Sequence, residues 1–164
     1  MIIRYATSAD AEAITEIYND AVRNSTAIWN DETVSVQNRM DWIAAKKVEG
    51  WPLLVAEDEQ GTLLGYATYG PWRAWDGYRH TVEHSVYVAK NQRGKGTGEA
   101  LMQALIGKAQ QTDIHVMVAG IEASNEASIR LHRKLGFKDA GTLREVGTKF
   151  GKWLDLAFLQ LTLA

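Results

Sequence analysis

Residues 85–109 read SVYVAKNQRGKGTGEALMQALIGKA and contain the clearest change of pattern in the chain. The first residues are strand formers, whereas the last part carries an apolar stripe at helical spacing. The stripe consists of Leu101, Met102, Leu105, Ile106 and Ala109. The glycines at positions 94, 96 and 98 therefore lie in a turn that joins a strand to the start of a helix.

This turn has the properties of an anion site. Three alternating glycines let backbone N–H groups turn inward without obstruction by side chains. Together with the helix N-terminus they are suited to a pyrophosphate, and Arg93 and Lys95 add positive charge. The two commonest nucleotide loops do not fit, because a G-x-x-x-x-G-K-[ST] pattern is absent and Glu99 replaces the third glycine of G-x-G-x-x-G. A plain glycine turn is the alternative that this pattern leaves open.

The residues just upstream, 80–84, read HTVEH, a spacing found in zinc hydrolases. Two histidines four positions apart share a metal only on a helix, and the following SVYV favours a strand. On a strand, His80 and His84 lie roughly 13 Å apart, which zinc–nitrogen bonds of about 2 Å cannot span. We therefore predict no metal site. Taken alone, Glu83 is most simply a strand-edge carboxylate that faces solvent.

The rest of the chain alternates between helical and strand patterns. Strands are predicted for residues 1–6, 53–58, 63–70, 114–121 and 152–163, and helices follow the cap at Thr7 or Ser8 and cover 36–49 and 125–137. The apolar run at 114–121 is typical of a strand buried on both faces. A polar loop at 25–35 carries Trp29, and residues 71–79, PWRAWDGYR, form an irregular aromatic and basic segment. The fold class is mixed α/β.

Composition excludes several classes of protein. The 164 residues carry a formal net charge of −2, which gives no nucleic-acid footprint. The chain has no cysteine, so disulfides, thiolate metal clusters and cysteine nucleophiles are ruled out. The N-terminus becomes polar too early for a secretory signal, and no apolar run approaches the ~18 residues of a membrane span. We expect a cytoplasmic protein without a membrane partner.

Two motifs together resemble the GNAT N-acetyltransferase superfamily. Residues 93–98 match its R-x-x-G-x-G acetyl-CoA loop. A second motif, N-x-A-S-x-x-L-[YH]-x-x-x-G-F, is matched by Asn125, Ala127, Ser128, Leu131, His132, Gly136 and Phe137. Within the superfamily, residues 65–88 and 146–161 are similar to the phosphinothricin and methionine sulfoximine acetyltransferase group. The resemblance implies one GNAT domain over 1–164, with a mixed, mostly antiparallel sheet, a splayed parallel pair and flanking helices.

The resemblance also implies how acetyl-CoA is held as co-substrate, without a metal. The strand at 85–88 is expected to carry a bulge and to splay from its parallel neighbour. Its residues Val86, Tyr87 and Val88 then face the pantetheine arm through the backbone. The residues expected to bind the pyrophosphate are Arg93, Gly94, Lys95, Gly96, Thr97 and Gly98. Asn125 corresponds to a contact with the cofactor arm, and Ser128 lies nearby.

Two residues correspond to catalytic positions of the family. Glu83 matches the general base of the phosphinothricin group. An α-amino group with a pKa of ~7.7–8.0 is mostly protonated at pH 7, so acyl transfer needs a group that removes its proton. His132 stands where the superfamily often has a tyrosine that protonates the departing thiolate, and a histidine can serve because its pKa lies near neutrality. An ordinary polar helix residue is the alternative for His132, and a water molecule is the alternative acid.

The substrate-binding positions implied by the resemblance lie in three loops. Arg73, Tyr78 and Arg79 belong to the aromatic and basic segment, where arginine suits fork-like binding of a carboxylate or phosphinate. For Arg79 a surface charge is an equal alternative. Trp29 and Asn30 would cover the substrate, although a core anchor and a turn residue are their simpler interpretations. Lys149 corresponds to a contribution from the second subunit of a homodimer.

These observations lead to one hypothesis and three competitors. The hypothesis is an N-acetyltransferase that uses acetyl-CoA directly on the α-amino group of small L-amino acid analogues, such as methionine sulfoximine, methionine sulfone or phosphinothricin. In the same class, a peptide N-terminal acetyltransferase would need an open groove. A catalytically silent CoA-binding sensor and a metallohydrolase represent other classes, and the retained Glu83 argues against the sensor.

Overall fold

The computed structural model describes residues 1–163 and contains a seven-stranded mixed sheet with four α-helices. The strands are β1 Ile2–Tyr5, β2 Leu53–Glu57, β3 Leu63–Pro71, β4 Thr81–Val88, β5 Val116–Glu122, β6 Lys138–Lys149 and β7 Lys152–Thr162. The helices are α1 Ala11–Asn24, α2 Val36–Glu49, α3 Thr97–Gln110 and α4 Glu126–Lys134. The strand order is β1-β2-β3-β4-β5-β7-β6, and β4–β5 is the parallel pair. The predicted mixed α/β fold class is confirmed.

The two faces of the sheet are covered by different helices. Ala67 of β3 packs in a cluster with Leu101 of α3, whereas its neighbour Tyr66 packs with Ile14 of α1 and Ile43 of α2. This is the alternation expected of successive strand residues. α4 contacts β5. Residues with even numbers on β4 therefore face α3 and α4, and those with odd numbers face α1.

Pairing between β4 and β5 stops halfway along both strands. The parallel register runs from Thr81–Val116 to Glu83–Val118, yet β4 continues to Val88 and β5 to Glu122. The two strands thus separate after Glu83, as the predicted splay requires. The expected bulge in β4 is not found, because β4 pairs with β3 without a shift of register over its whole length from Val82 to Val88.

One other expectation was wrong, and one strand was not predicted. β5 is not buried on both faces: Met117 and Ala119 are buried, but Gly120 is exposed because the sheet opens there. β6 was not predicted as a strand. It is an edge strand that is mostly exposed and broken by register shifts after Asp139 and Leu143, so it has neither a long apolar run nor a clean alternation.

The β6–β7 hairpin fixes the loop that connects α1 to α2. Lys149, 3% exposed, donates through Nζ to the carbonyl oxygens of Ala21, Ser25 and Ile28 at and beyond the end of α1. These carbonyls include the end of a helix, where a cation is favourable. The charged end of Lys149 is therefore engaged within its own chain. Its contribution to a second subunit's site stays a prediction.

Candidate active site

The separation of β4 and β5 creates a small notch in the sheet. A cavity of about 90 Å³ lies there, and its lining comes from the loop after α1, from β4 and β5 beyond the last pair, and from the start of α4. The lining residues are Ala27, His84, Ser85, Val86, Tyr87, Ala119, Gly120, Ile121, Glu122, Asn125, Ser128 and His132. Several residues predicted from separate motifs thus meet at one place.

Glu83 lies at the base of this notch as the last residue of β4 that pairs with β5. Glu83 does not itself line the cavity, but its carboxylate lies against Gly120, which does: a Cβ added to Gly120 would lie 3.0 Å from Glu83 Oε2. The side chain is half-buried, and this burial raises the pKa of the Glu83 carboxyl above its ordinary value. A raised pKa and a position in a cleft are properties of a proton acceptor. Glu83 is thus more enclosed than the solvent-facing strand edge that the local sequence favours.

The glycine loop forms an open cradle at the start of α3. Gly94 and Gly96 have φ angles of +77° and +81°, and a Cβ at either would meet nothing within 4 Å. Among the described residues, the N–H groups of residues 93–98 donate to no backbone carbonyl. The N–H of Ala100 is the next that does so, and it donates to the Gly96 carbonyl at 3.0 Å. The N–H groups from residue 93 to residue 98 are thus left for another acceptor.

The side chains of the loop divide into two groups. Arg93 and Lys95 are exposed, with Lys95 Nζ 3.3 Å from Gln92 Oε1. Thr97, in contrast, is 2% exposed, and its Oγ1 has no hydrogen-bond partner among the described residues. The hydroxyl of Thr97 therefore faces the protein interior, which leaves only its backbone N–H to serve the cradle.

The start of α4 contributes the other predicted cofactor contacts. Asn125 is the N-cap of the helix, and its Oδ1 accepts a hydrogen bond from the N–H of Ser128 at 3.2 Å. The amide nitrogen of Asn125 remains available at the wall of the notch. Val86 and Tyr87 line the opposite wall, but the ring of Tyr87 packs 5.4 Å from the ring of Tyr66 on the α1 face. Tyr87 can therefore serve an arm in the notch through its backbone.

Taken together, these groups fit acetyl-CoA. The unpaired N–H groups and the exposed cations suit a pyrophosphate, and the notch with its free strand edge suits an amide-bearing arm. Because the loop and the notch lie at opposite ends of the same strand segment, 85–88, one extended molecule would contact both. Within 1–163 no group of three His, Asp or Glu side chains is close enough to hold a metal ion.

The two histidines of HTVEH have different surroundings. His80 is beside Asp113, with Nδ1 3.4 Å from Oδ2, whereas His84 is 7% exposed on the α3–α4 face. His84 Nε2 lies 2.9 Å from Nε2 of His132, which is 2% exposed, and both rings pack on Phe137. Sequence reasoning missed this pair, because His84 was considered only as a metal ligand.

Both ring nitrogens of His132 are occupied. Nδ1 lies 2.7 Å from the carbonyl oxygen of Ser128, and Nε2 contacts His84. Burial lowers the pKa of His132 below its ordinary value and the pKa of His84 to about 3. His132 is therefore neutral near pH 7. Its predicted role as the acid for the thiolate stays a prediction.

The aromatic and basic segment lies at the same end of the sheet as Glu83. Glu83 pairs with Gly70 of β3, and Arg73 follows three residues later. The Arg73 guanidinium stacks near the rings of Trp75 and Tyr78, at 5.5 and 5.8 Å from their centroids, and all three side chains are exposed. The structure thus brings Arg73 and Tyr78 together.

Arg79 and the loop residues have other neighbours. Arg79 is exposed and bonds the backbone of Asp76 at 3.0 Å. Trp29 donates to the Thr26 carbonyl at 2.8 Å, and its ring lies so close to Gly147 that a Cβ there would overlap it. Asn30 donates to the Tyr18 hydroxyl at 2.8 Å. Trp29 is thus an anchor of the loop, and a role of these three residues toward the substrate stays a prediction.

A much larger cavity lies elsewhere in the molecule. It measures about 830 Å³ and lies between α2 and the C-terminal end of α3. Lys46, Lys47 and Lys108 are among its lining residues, and burial lowers the pKa of Lys46 to about 8. The cavity includes none of the predicted site residues, so volume alone does not identify the active site.

Among residues 1–163, no helix has both the length and the apolar character that a membrane crossing needs.

The family model described as an acetyltransferase (GNAT) domain matches residues 3–158. The L-methionine sulfoximine/L-methionine sulfone acetyltransferase of Pseudomonas paraeruginosa is 56% identical over 161 residues, which cover 98% of this chain and 94% of that protein.

Two solved structures are similar over nearly the whole chain. A protein described as ribosomal-protein-alanine N-acetyltransferase from Brucella melitensis has 53% identity and a TM-score of 0.97, with 99% of this chain and 100% of that chain covered. The structure of yncA from Salmonella typhimurium, solved with its cofactor acetyl-CoA, has 54% identity and a TM-score of 0.96, with 100% and 94% covered.

Proposed function

Because the chain belongs to the GNAT acetyltransferase family, we propose that it transfers the acetyl group of acetyl-CoA to the α-amino group of small free L-amino acids. Methionine sulfoximine, methionine sulfone and phosphinothricin are the candidate substrates. The observation that carries the proposal is the half-buried Glu83 carboxylate at the end of the β4–β5 pairing, beside a notch that joins an open glycine cradle. A catalytically silent sensor would have no use for such a carboxylate.

Glu83 would take the proton of the attacking amine, directly or through one water. When bound, acetyl-CoA supplies the activated acetyl thioester, so the protein needs no nucleophile of its own. The residues from 93 to 98 would hold the pyrophosphate through N–H groups, and Asn125 would fix the arm. The raised pKa of Glu83 makes it a stronger base than an ordinary carboxylate.

The aromatic and basic segment would provide the specificity for the substrate. Arg73 is the cation nearest in sequence to the Glu83 partner Gly70, and the rings of Trp75 and Tyr78 supply apolar surface beside it. A guanidinium can bind a carboxylate or a tetrahedral phosphinate through two parallel hydrogen bonds. An amino acid with a polar, oxygen-bearing side-chain end suits this arrangement.

Peptide N-terminal acetylation is the second candidate function, since the similar Brucella protein bears a name of that type. A peptide requires an open groove along the notch. Here the loop after α1 is tied to β6 by Lys149 and by the contact of Trp29 with Gly147, and Ala27 of this loop lines the notch. Because the loop is held in place beside the notch, a small substrate is favoured over an extended peptide.

Arg73→Ala is expected to reduce kcat/KM for methionine sulfone by ten-fold or more, because a buried polar group of the substrate would lose its partner, at a cost of about 1–3 kcal/mol. Thiol release from acetyl-CoA measures the rate. The preference over L-methionine should fall with it, whereas the acetyl-CoA dissociation constant should stay the same. Arg23→Ala, which removes an exposed arginine at the end of α1, is the control. An unchanged preference in Arg73→Ala would remove Arg73 from the substrate site.

We also propose a homodimer, a single catalytic domain over 1–164 and a cytoplasmic location, where acetyl-CoA is available. Support for the dimer comes from the β6–β7 hairpin, whose exposed apolar side chains are Leu143, Val146, Phe150 and Trp153. Trp153 alone is 71% exposed. Such clusters on the surface mark protein contacts.

Trp153→Lys should therefore convert a dimer into a monomer in light scattering after size-exclusion chromatography. The matched control is Trp75→Lys, which changes an equally exposed tryptophan (67%) outside the hairpin and should leave the dimer intact. A wild-type protein that is monomeric at micromolar concentration would contradict the proposal.

A further inference from the structure

The buried pair His84–His132 forms a chain of hydrogen bonds that ends at the notch. His84 Nε2 lies 2.9 Å from His132 Nε2, and His132 Nδ1 lies 2.7 Å from the carbonyl oxygen of Ser128. The Ser128 hydroxyl lies 3.5 Å from the same Nδ1 and lines the cavity. Forty-eight residues separate the two histidines in the sequence, so only the fold brings them together.

The partners determine which nitrogen carries each hydrogen. A carbonyl oxygen can only accept, so His132 Nδ1 must carry the hydrogen that Ser128 receives. If the His132 ring is neutral, its Nε2 carries a lone pair and no hydrogen. The hydrogen between the two rings must then belong to His84 Nε2, which donates it to His132 Nε2. His84 Nδ1 is consequently without a hydrogen. Among the described residues no group completes a hydrogen bond of ordinary geometry to His84 Nδ1, which is buried, although the backbone of Val118 is close enough to oppose in part the lowering of the His84 pKa.

We propose that His84 is a positioning residue, which holds His132 as the neutral Nδ1–H tautomer and thereby leaves the Ser128 hydroxyl hydrogen free to point into the notch. Because His132 Nδ1 already carries a hydrogen, Ser128 cannot donate to it. The hydroxyl hydrogen is then available for a polar atom in the notch, the place where the thioester sulfur or carbonyl oxygen would lie. This inference rests on the proposed function for its role in catalysis, but the tautomer itself does not.

In this arrangement His132 acts through Ser128. Neither of its nitrogens is free to face the notch, because one is held by a carbonyl and the other by His84. A donor that is oriented in advance toward developing charge can contribute about 10²–10³ in kcat. The chain from His84 to Ser128 orients such a donor without any change of protonation.

Titratable groups approach the pair from β3, β4 and β5. Tyr69 pairs with His84 from β3, Glu122 lies at the end of β5 on the cavity wall, and Glu83 is on the opposite face of β4. Within residues 1–163, none of these groups makes a hydrogen bond to either ring. Phe137 closes the apolar side. Burial lowers the pKa of both rings, in agreement with a neutral pair.

The test compares two substitutions of His84. His84→Gln retains an N–H donor near the position of Nε2, whereas His84→Leu removes it. Nitrogen-15 NMR of the ligand-free protein reports the His132 tautomer directly. We expect the Nδ1–H form in wild type and in His84→Gln. In His84→Leu, Nε2 of His132 loses its donor while the Ser128 carbonyl still requires a hydrogen on Nδ1, so the imidazolium should form at a higher pH than in the wild type.

The second part of the experiment measures kcat in the same variants. We expect kcat to fall about ten-fold or more in His84→Leu, to recover largely in His84→Gln, and to gain a new decline below pH 7 in His84→Leu as His132 becomes protonated. Ser128→Ala should lose a similar factor and make the His84→Leu change nearly without further effect. If His84→Leu does not fold, the inference is tested by the kcat of Ser128→Ala and by the His132 tautomer in the wild-type NMR spectrum.

An Nε2–H tautomer or an imidazolium for His132 in the wild type would overturn the inference. It would also be overturned if His84→Leu kept the wild-type kcat and pH profile. A wild-type protein that shows the Nδ1–H tautomer but acetylates no amine would instead leave the tautomer standing and refute the proposed function. The two failures are thus distinguishable.

Discussion

Glu83→Gln should lower kcat by about 10²–10⁴-fold, the usual contribution of a general base. Glutamine has nearly the same shape as glutamate and preserves the packing over Gly120, but it cannot take a proton from the substrate amine. Initial rates of thiol release at saturating acetyl-CoA and methionine sulfone measure the effect. The acetyl-CoA dissociation constant, obtained by calorimetry, should remain at its wild-type value.

The control is Glu16→Gln, the same chemical change on the exposed side of α1. It should leave kcat unchanged. If Glu83→Gln retained more than a tenth of wild-type activity at pH 7, Glu83 would have a structural role and another group would have to accept the proton.

The pH dependence gives the same prediction an independent check. A base acts when it is deprotonated, so kcat should rise with pH through the pKa of Glu83 and decrease below it. Because burial raises this pKa, the decrease should begin at a higher pH than for an ordinary glutamate. In Glu83→Gln this part of the profile should be absent. An identical profile in both proteins would assign the acidic decrease to a different group.

Gly96→Val should weaken acetyl-CoA binding by about 10- to 100-fold, the range that corresponds to roughly 1–3 kcal/mol. Gly96 has a φ of +81° at the start of α3, a conformation that a β-branched residue essentially never adopts. The loop must therefore relax, and the N–H groups that form the cradle move out of position. Calorimetric titration with acetyl-CoA provides the dissociation constant.

The chain contains a matched control for this substitution. Gly61, in the turn between β2 and β3, has a φ of +80° and equally open surroundings. Gly61→Val should carry a similar conformational strain and lower the melting temperature comparably, without any effect on acetyl-CoA affinity. Equal affinity in Gly96→Val and Gly61→Val would exclude the loop from cofactor binding.

Local signals were sufficient to predict several elements. α2 begins and ends where the sequence indicated, since the Ser35 hydroxyl accepts from the Asn38 N–H and Gly50 adopts a left-handed conformation as C-cap. The extended conformation of residues 81–88 followed from their β-branched and aromatic content. Alternation along this strand places His84 and Glu83 on opposite sides of the sheet, in agreement with their contacts.

Other features depend on contacts between distant residues and left no local signal. β6 is an exposed edge strand whose pairing is set by β7, and the Phe150–Gly151 turn that joins them has positive φ at both residues. The Lys149 contacts with the end of α1 and the His84–His132 pair each join residues that are far apart in sequence. No periodicity could have revealed them.

A competition experiment distinguishes a free amino acid from a peptide as the preferred substrate. Wild-type protein receives limiting acetyl-CoA with equal concentrations of L-methionine sulfone and a short peptide that begins with alanine, and mass spectrometry measures the two acetylated products. Their ratio equals the ratio of the two kcat/KM values. We expect at least ten-fold more N-acetylmethionine sulfone than acetylated peptide. An excess of acetylated peptide would contradict the assignment to free amino acids, and the absence of both products would contradict the proposed acetyltransferase.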